Sequence, residues 1–192
     1  MKRINYFILK LFGYDIDIIN VPLEAKKCVI AFAPHTSMSD FIVGRMALSA
    51  MGVKTVFLIK SEVFWWPLGS ILKKLGGMPV DRKNARNFHK FAADLIRNSN
   101  EIALLIAPEG TRKRNPKWKK GFYFIAKEAE VPIMLGYLDY TVKKGGIGKV
   151  FYPDDNIEDD MIEIKKFYYG MKGIHKGKFD LENMPYAHPE WL

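Results

Sequence analysis

An α/β sandwich with a mostly parallel sheet is the fold this sequence predicts, and three observations predict it. Short, nearly unbroken apolar runs recur at residues 28–33 (CVIAFA), 55–59 (TVFLI), 102–107 (IALLIA) and 132–138 (PIMLGYL). Runs of this length without polar alternation are the pattern of strands buried on both faces. Longer stretches with helical patterning separate them, as crossover helices do in a parallel sheet. The 192 residues are 48% hydrophobic, which suits one domain able to bury a core, since a second core would need roughly 100 residues more.

The elements follow in order. Lys2 and Arg3 precede an apolar stretch in the manner of a signal peptide, but Lys10 interrupts it and no small-residue cleavage site follows. Residues 1–14 therefore read as an amphipathic helix with Ile4, Phe7, Ile8 and Leu11 on one face, at spacing i, i+3, i+4, i+7. That face either packs on the domain's own core or lies in a bilayer interface, because Tyr6, Leu9 and Phe12 leave the helix apolar nearly all round. Further helices are expected at 40–51, 68–75, 85–98 and 120–130. Residues 63–68 (VFWWPL) can be core, membrane-facing surface or the wall of an apolar channel. Gly145, Gly146 and Gly148 mark a turn before a short strand at 150–152. Residues 154–163 hold six acids in ten, 164–169 can continue a helix, and the tail from Gly170 is rich in Gly and Lys. There is no internal repeat and no separating linker, so residues 1–192 are expected to form a single domain.

Composition bounds the function. Lys plus Arg exceeds Asp plus Glu by 30 − 21 = 9, and the sequence pI is about 9.5, a balance that favours anionic partners such as phosphates, acidic carrier proteins, nucleic acid or an anionic lipid surface. Cys28 is the single cysteine, which excludes an intrachain disulfide and a multi-cysteine metal site and fits a reducing compartment. No uncharged apolar run reaches the ~18 residues a spanning helix needs.

Polar residues follow the carboxyl ends of the expected strands, where open parallel sheets bind ligands. His35 and Asp40 follow the first, Lys60 and Glu62 the second, and Glu109 to Arg112 the third. In Pro34-His35-Thr36-Ser37-Met38-Ser39-Asp40, a His can act as base near neutral pH, and a carboxylate on its other nitrogen would fix the tautomer and stabilise the imidazolium. Residues five apart on a helix lie about 140° apart, so contact requires His35 on the loop and Asp40 in the first helical turn. The alternative is that Asp40 or Ser39 merely caps the helix. In Pro108-Glu109-Gly110-Thr111-Arg112, a tight Gly turn exposes a carboxylate, a hydroxyl and a guanidinium able to grip phosphate bidentately; an ordinary loop with a solvated Arg is the plainer reading.

Together, PHTSMSD and, 74 residues after His35, EGTR resemble the His-x4-Asp glycerolipid acyltransferases of the lysophosphatidic acid acyltransferase type. Gly77-Met78-Pro79-Val80-Asp81-Arg82 is similar to that family's second block and Val131-Pro132-Ile133 to its fourth. Lys60-Ser61-Glu62 and Trp118-Lys119-Lys120-Gly121 are similar to lesser landmarks. The resemblance covers a motif-bearing core at residues 28–138 and implies the glycerol-3-phosphate acyltransferase-like fold. It also implies His35 as base, Asp40 as its orienting carboxylate, and a substrate-binding set of Ser37, Arg82, Glu109, Gly110, Thr111, Arg112 and Lys119. Within that set, Arg82 and Arg112 hold an acceptor phosphate and Glu109 orients Arg112 or the acceptor.

The implied reaction moves a fatty acyl group from an acyl-thioester, on coenzyme A or acyl carrier protein, to the hydroxyl of a lysophospholipid. It needs no metal and no tightly bound cofactor, and it takes place peripherally on the cytoplasmic, inner face of a membrane with anionic lipid. The chain departs from the family pattern at Pro34 (usually Asn), at Pro79 (usually aromatic) and at Leu135 (usually Pro). These changes touch the acceptor side, so a phosphate-free acceptor such as an N-acylated amino acid stays open. A non-catalytic basic domain that binds lipid or nucleic acid is the other rival, although no nucleic-acid motif is present. A serine hydrolase is excluded by the missing G-x-S-x-G elbow. A zinc site lacks ligands, since His89, His175 and His188 fall in unrelated contexts.

Overall fold

The computed structural model of the chain describes residues 2–80 and 85–181. Its strands are β1 (Asp15–Ile16), β2 (Lys27–Ala33), β3 (Thr55–Lys60), β4 (Gly77–Val80), β5 (Ile102–Ile106), β6 (Ile133–Asp139) and β7 (Lys144–Phe151). They form one sheet in the order β1-β7-β6-β2-β5-β3-β4. Every neighbouring pair is parallel except β6 and β7. The helices are α1 (Lys2–Leu11), α2 (Met38–Met51), α3 (Leu68–Lys74), α4 (Ala85–Arg97), α5 (Gly121–Ala129) and α6 (Ile157–Phe167). This is the expected α/β architecture, a mostly parallel sheet flanked by helices with a helix at the N-terminus.

The apolar runs are central because both faces of the sheet are covered. Along β2, Val29, Ala31 and Ala33 join one core with Ile96, Leu104, Ile125 and Ile164, under α4, α5 and α6. Cys28, Ile30 and Phe32 alternate into a second core with Leu9, Leu48 and Met134, under α1 and α2. Cys28 is buried and its thiol is pushed up to about 12 by that burial, so it is a core side chain.

Several expectations need correction. Strands β1 and β4 have no apolar run to announce them, and Pro79 sits in β4 because β4 is an edge, where a missing N–H costs no ladder bond. Gly145, Gly146 and Gly148 lie inside β7, not in a turn before it. The turn comes earlier, where Lys143 adopts a positive φ of 53°. Gly148 is required by packing: a Cβ there would lie 2.5 Å from the Phe167 ring, so the missing side chain is what lets α6 lie against β7. As expected, the segment after the acidic stretch continues a helix: α6 is capped by the Asn156 side chain and runs on to Phe167.

For α1 the apolar stripe does not pack on the domain's own core. Ile4, Phe7 and Leu11 are 63%, 67% and 73% exposed, while Leu9, on the opposite side, is buried against α2 and the sheet. The expected stripe faces outward. No helix among the described residues is long and apolar enough to cross a membrane.

Gly148→Val should force the Phe167 ring aside and lower stability by about 1–3 kcal/mol, the usual cost of overpacking. Urea unfolding followed by far-UV circular dichroism checks this, with wild-type stability counting against the packing argument.

Candidate active site

Because β2 and β5 are adjacent and parallel, with Ala31 level with Ile106, the loops that follow them leave the sheet side by side. This brings His35 and Glu109 together across 74 residues: the His35 N–H donates to Glu109 Oε1 at 2.6 Å.

The loop before α2 is built around one carboxylate. Asp40 is fully buried, and its Oδ2 accepts the N–H of Thr36 at 2.5 Å, the N–H of Ser37 at 2.7 Å and the Thr36 hydroxyl at 3.3 Å. Ser37 is the N-cap, its hydroxyl accepting the Ser39 N–H at 3.1 Å, and Asp40 completes a capping box as the third helical residue. These contacts use one of the two carboxylate oxygens. The other, Oδ1, is buried with no hydrogen-bond partner among the described residues. The His35 ring is half-buried on the loop and unbonded to Asp40, yet it feels that charge. Burial lowers its pKa below the ordinary 6.5, the Asp40 charge opposes the shift, and the Arg112 charge adds to it. The imidazole is thus held in its neutral, proton-accepting form at neutral pH.

Glu109 is 1% exposed. Burial pushes its carboxyl up to about 7, the His35 N–H pulls the other way, and the Asp40 charge adds to the rise. Its partner is the backbone of His35, and no bond joins it to Arg112. In this structure it joins the two loops. Gly110 turns with φ of +65°, and the Lys119 side chain crosses it so closely that a Cβ would stand 2.8 Å from Lys119 Cδ and Cε. The Thr111 hydroxyl accepts the Lys113 N–H at 3.2 Å. Arg112 is exposed and has no hydrogen bond or ion pair among the described residues.

These groups stand at one end of a cleft of about 1130 Å³. His35, Asp40, Gly110, Thr111, Arg112 and Lys119 line its polar part, and Phe32, Phe41, Phe57, Leu105, Phe122 and Ile125 its apolar wall. Val63 lines it as well, while Trp65 and Trp66 are 61% and 84% exposed. The 63–68 segment is therefore partly a wall of the cleft and partly outward-facing surface. Lys60 and Glu62 do not line the cleft, Ser37 serves the cap, and Arg82 lies outside the described residues, as does His188.

The sequence reading missed three contributors. His89 lines the same cleft from α4, its ring stacked on Phe124 with centroids 6.3 Å apart. Thr36 supplies two of the donors on Asp40. His175, in the tail, donates its backbone N–H to the Thr36 hydroxyl at 3.4 Å. Only Thr36 had a sequence signal, its place inside the His35–Asp40 motif. Among the described residues no cluster of three His, Cys, Asp or Glu is arranged to hold a metal.

Comparison with known proteins agrees with this fold. Residues 16–134, more than half of the chain, match the family model described as Acyltransferase. Among solved structures the chain is similar to the crystal structure of the 1-acyl-sn-glycerophosphate (LPA) acyltransferase PlsC from Thermotoga maritima. The TM-score is 0.60 at 18% identity, over 86% of this chain and 73% of that one. No curated protein matches.

The electrostatics give a test that needs no substrate. Titrated by NMR and assigned against His35→Ala, the His35 ring should have a pKa below 6.5. Asp40→Asn removes the charge that favours the imidazolium and should move it further down. Arg112→Gln removes an opposing charge and should move it up. A shift of either variant in the other direction would refute the arrangement.

Proposed function

This chain belongs to the acyltransferase family, and on that premise we propose that it moves a fatty acyl group from an acyl-thioester to the hydroxyl of a lysophospholipid such as lysophosphatidic acid. The observation that carries the reading is the placement of the His35 imidazole and the buried Asp40 carboxylate in a cleft with an apolar wall, lined as well by the Arg112 guanidinium, which has no ion pair among the described residues. The donor is acyl-coenzyme A or acyl carrier protein, and the reaction uses no metal or tightly bound cofactor.

His35 accepts the acceptor's hydroxyl proton as that oxygen attacks the thioester carbonyl. The tetrahedral adduct collapses with cleavage of the carbon–sulfur bond, and the departing thiolate takes the proton back from the imidazolium. One ester forms, one thioester is lost, and no acyl group resides on the protein. Asp40 stabilises the transient imidazolium, which matters because burial opposes that charge. The acyl chain lies along the apolar wall, and Arg112 grips the acceptor phosphate, with Lys119 and the Gly110–Thr111 turn beside it.

The substrates are lipids, and the reading places the chain peripherally on the inner face of a membrane. Support comes from the outward face of α1, with exposed Ile4, Phe7, Leu11 and Phe12 beside Lys2, Arg3 and Lys10, and from exposed Trp65 and Trp66. Aromatic and aliphatic side chains bordered by Lys and Arg suit an anionic bilayer interface.

Thiol release from an acyl-thioester in the presence of lysophosphatidic acid tests the reaction. His35→Ala should reduce it about 10²–10⁴-fold, and undiminished turnover would rule out the mechanism. Arg112→Lys should raise the acceptor KM and leave the thioester KM unchanged, because an ammonium cannot replace a bidentate fork. If acceptor KM is unmoved and inorganic phosphate never competes, the phosphate-free acceptor takes precedence. Phe7→Glu with Leu11→Glu should weaken sedimentation with anionic vesicles without lowering Tm, as both side chains are exposed. Undiminished sedimentation would count against α1 as the anchor.

A further inference from the structure

We propose that Tyr140 is a positioning residue for acyl transfer, its phenol donating to the second carboxylate oxygen of Asp40 and fixing that oxygen for the His35 imidazole. The proposal rests on the roles of His35 and Asp40 given above.

The sheet register puts the two groups side by side. Strand β6 runs parallel to β2 with Ala33 level with Tyr137, so the residues that follow Asp139 emerge next to the His35 loop. The chain from Lys172 to His175 then holds both together. The Tyr140 N–H donates to the Lys172 carbonyl at 3.0 Å. Asp139 Oδ1 accepts the N–H of Thr141 at 2.7 Å and of Lys172 at 3.4 Å. Gly173 lies so close to Thr36 that a Cβ would stand 2.4 Å from its hydroxyl oxygen, and Thr36 in turn holds Asp40.

Three buried side-chain polar atoms have no hydrogen-bond partner among the described residues. Two of them are Asp40 Oδ1 and the Tyr140 hydroxyl, and the third is Trp118 Nε1. One of the first pair is an acceptor and the other can donate. Burial, and then the Asp40 carboxylate, hold the Tyr140 phenol protonated far above neutral pH, so the proton stays available to give. A buried polar group without a partner is costly, and a carboxylate oxygen has two lone pairs. It can therefore accept the phenol and the imidazole N–H together. Tyr14 meets Tyr140 edge to face, with centroids 6.1 Å apart, and this contact keeps the ring in place when only the hydroxyl is removed.

The test is Tyr140→Phe, alone and in Asp40→Asn, assayed by thiol release with a long-chain acyl-coenzyme A and lysophosphatidic acid and accompanied by Tm. The single variant should lose about ten-fold in kcat, the scale of one hydrogen bond to a charged group, with both KM values unchanged. In the Asp40→Asn background the same substitution should cost nothing further, because the charged acceptor is already gone. Wild-type kcat in Tyr140→Phe, or a full ten-fold additional loss in Asp40→Asn, would overturn the proposal while leaving His35 as base. Undiminished turnover in His35→Ala would instead overturn the reading beneath it. If Tyr140→Phe does not fold, Tyr140→Met at this half-buried position is judged by the same two comparisons.

Discussion

Asp40 Oδ2, out of contact with solvent, gathers the N–H groups of Thr36 and Ser37 and the hydroxyl of Thr36 at the first turn of α2. The conformation of the His35 loop follows from that convergence. With both backbone donors committed to one oxygen, the loop cannot slide along the helix, and His35 is presented at the end of β2 with its N–H turned to Glu109. The neighbouring loop is fixed in turn. Glu109 can be buried because it has this donor and because burial raises its carboxyl to about 7, which reduces the cost of enclosing a charge.

Parallel pairing converts these local contacts into a site. Strands β5, β2 and β6 are consecutive in the sheet, so the segments that follow them, carrying Glu109–Arg112, His35 and Tyr140, leave from the same end of the sheet although 105 residues separate His35 from Tyr140. The apolar cleft occupies the same end, between α2 and the helices of the opposite layer. A long acyl chain and a polar, phosphate-bearing head would then meet at the imidazole. The same economy explains the tail after Gly170: with little periodicity of its own, it braces Thr36 and Tyr140 through Lys172, Gly173 and His175.

How much of this was legible in the sequence depends on what each residue answers to. The buried strands showed themselves because both faces are covered, leaving no polar alternation in residues 28–33 or 102–106. His35, Asp40 and Glu109 were legible because the PHTSMSD and EGTR motifs follow two of the apolar runs. The glycines of β7 misled because their usual meaning is a turn, whereas Gly148 answers to the Phe167 ring 19 positions later in the chain. His89 and Tyr140 carried no local signal: one lines the cleft from α4, the other follows β6, the strand beside β2, and only the sheet order places it near the His35 loop. For α1, periodicity defined the face but not its direction, since an apolar stripe looks the same whether it meets a core or a bilayer.

The central claim is direct transfer within one ternary complex, with His35 as base and no acyl group on the protein. Initial rates measured over a grid of acyl-thioester and lysophosphatidic acid concentrations test it most directly. The account predicts double-reciprocal lines that intersect, as they must when both substrates are bound before either product leaves. Parallel lines, the pattern of an acylated enzyme intermediate, would contradict it.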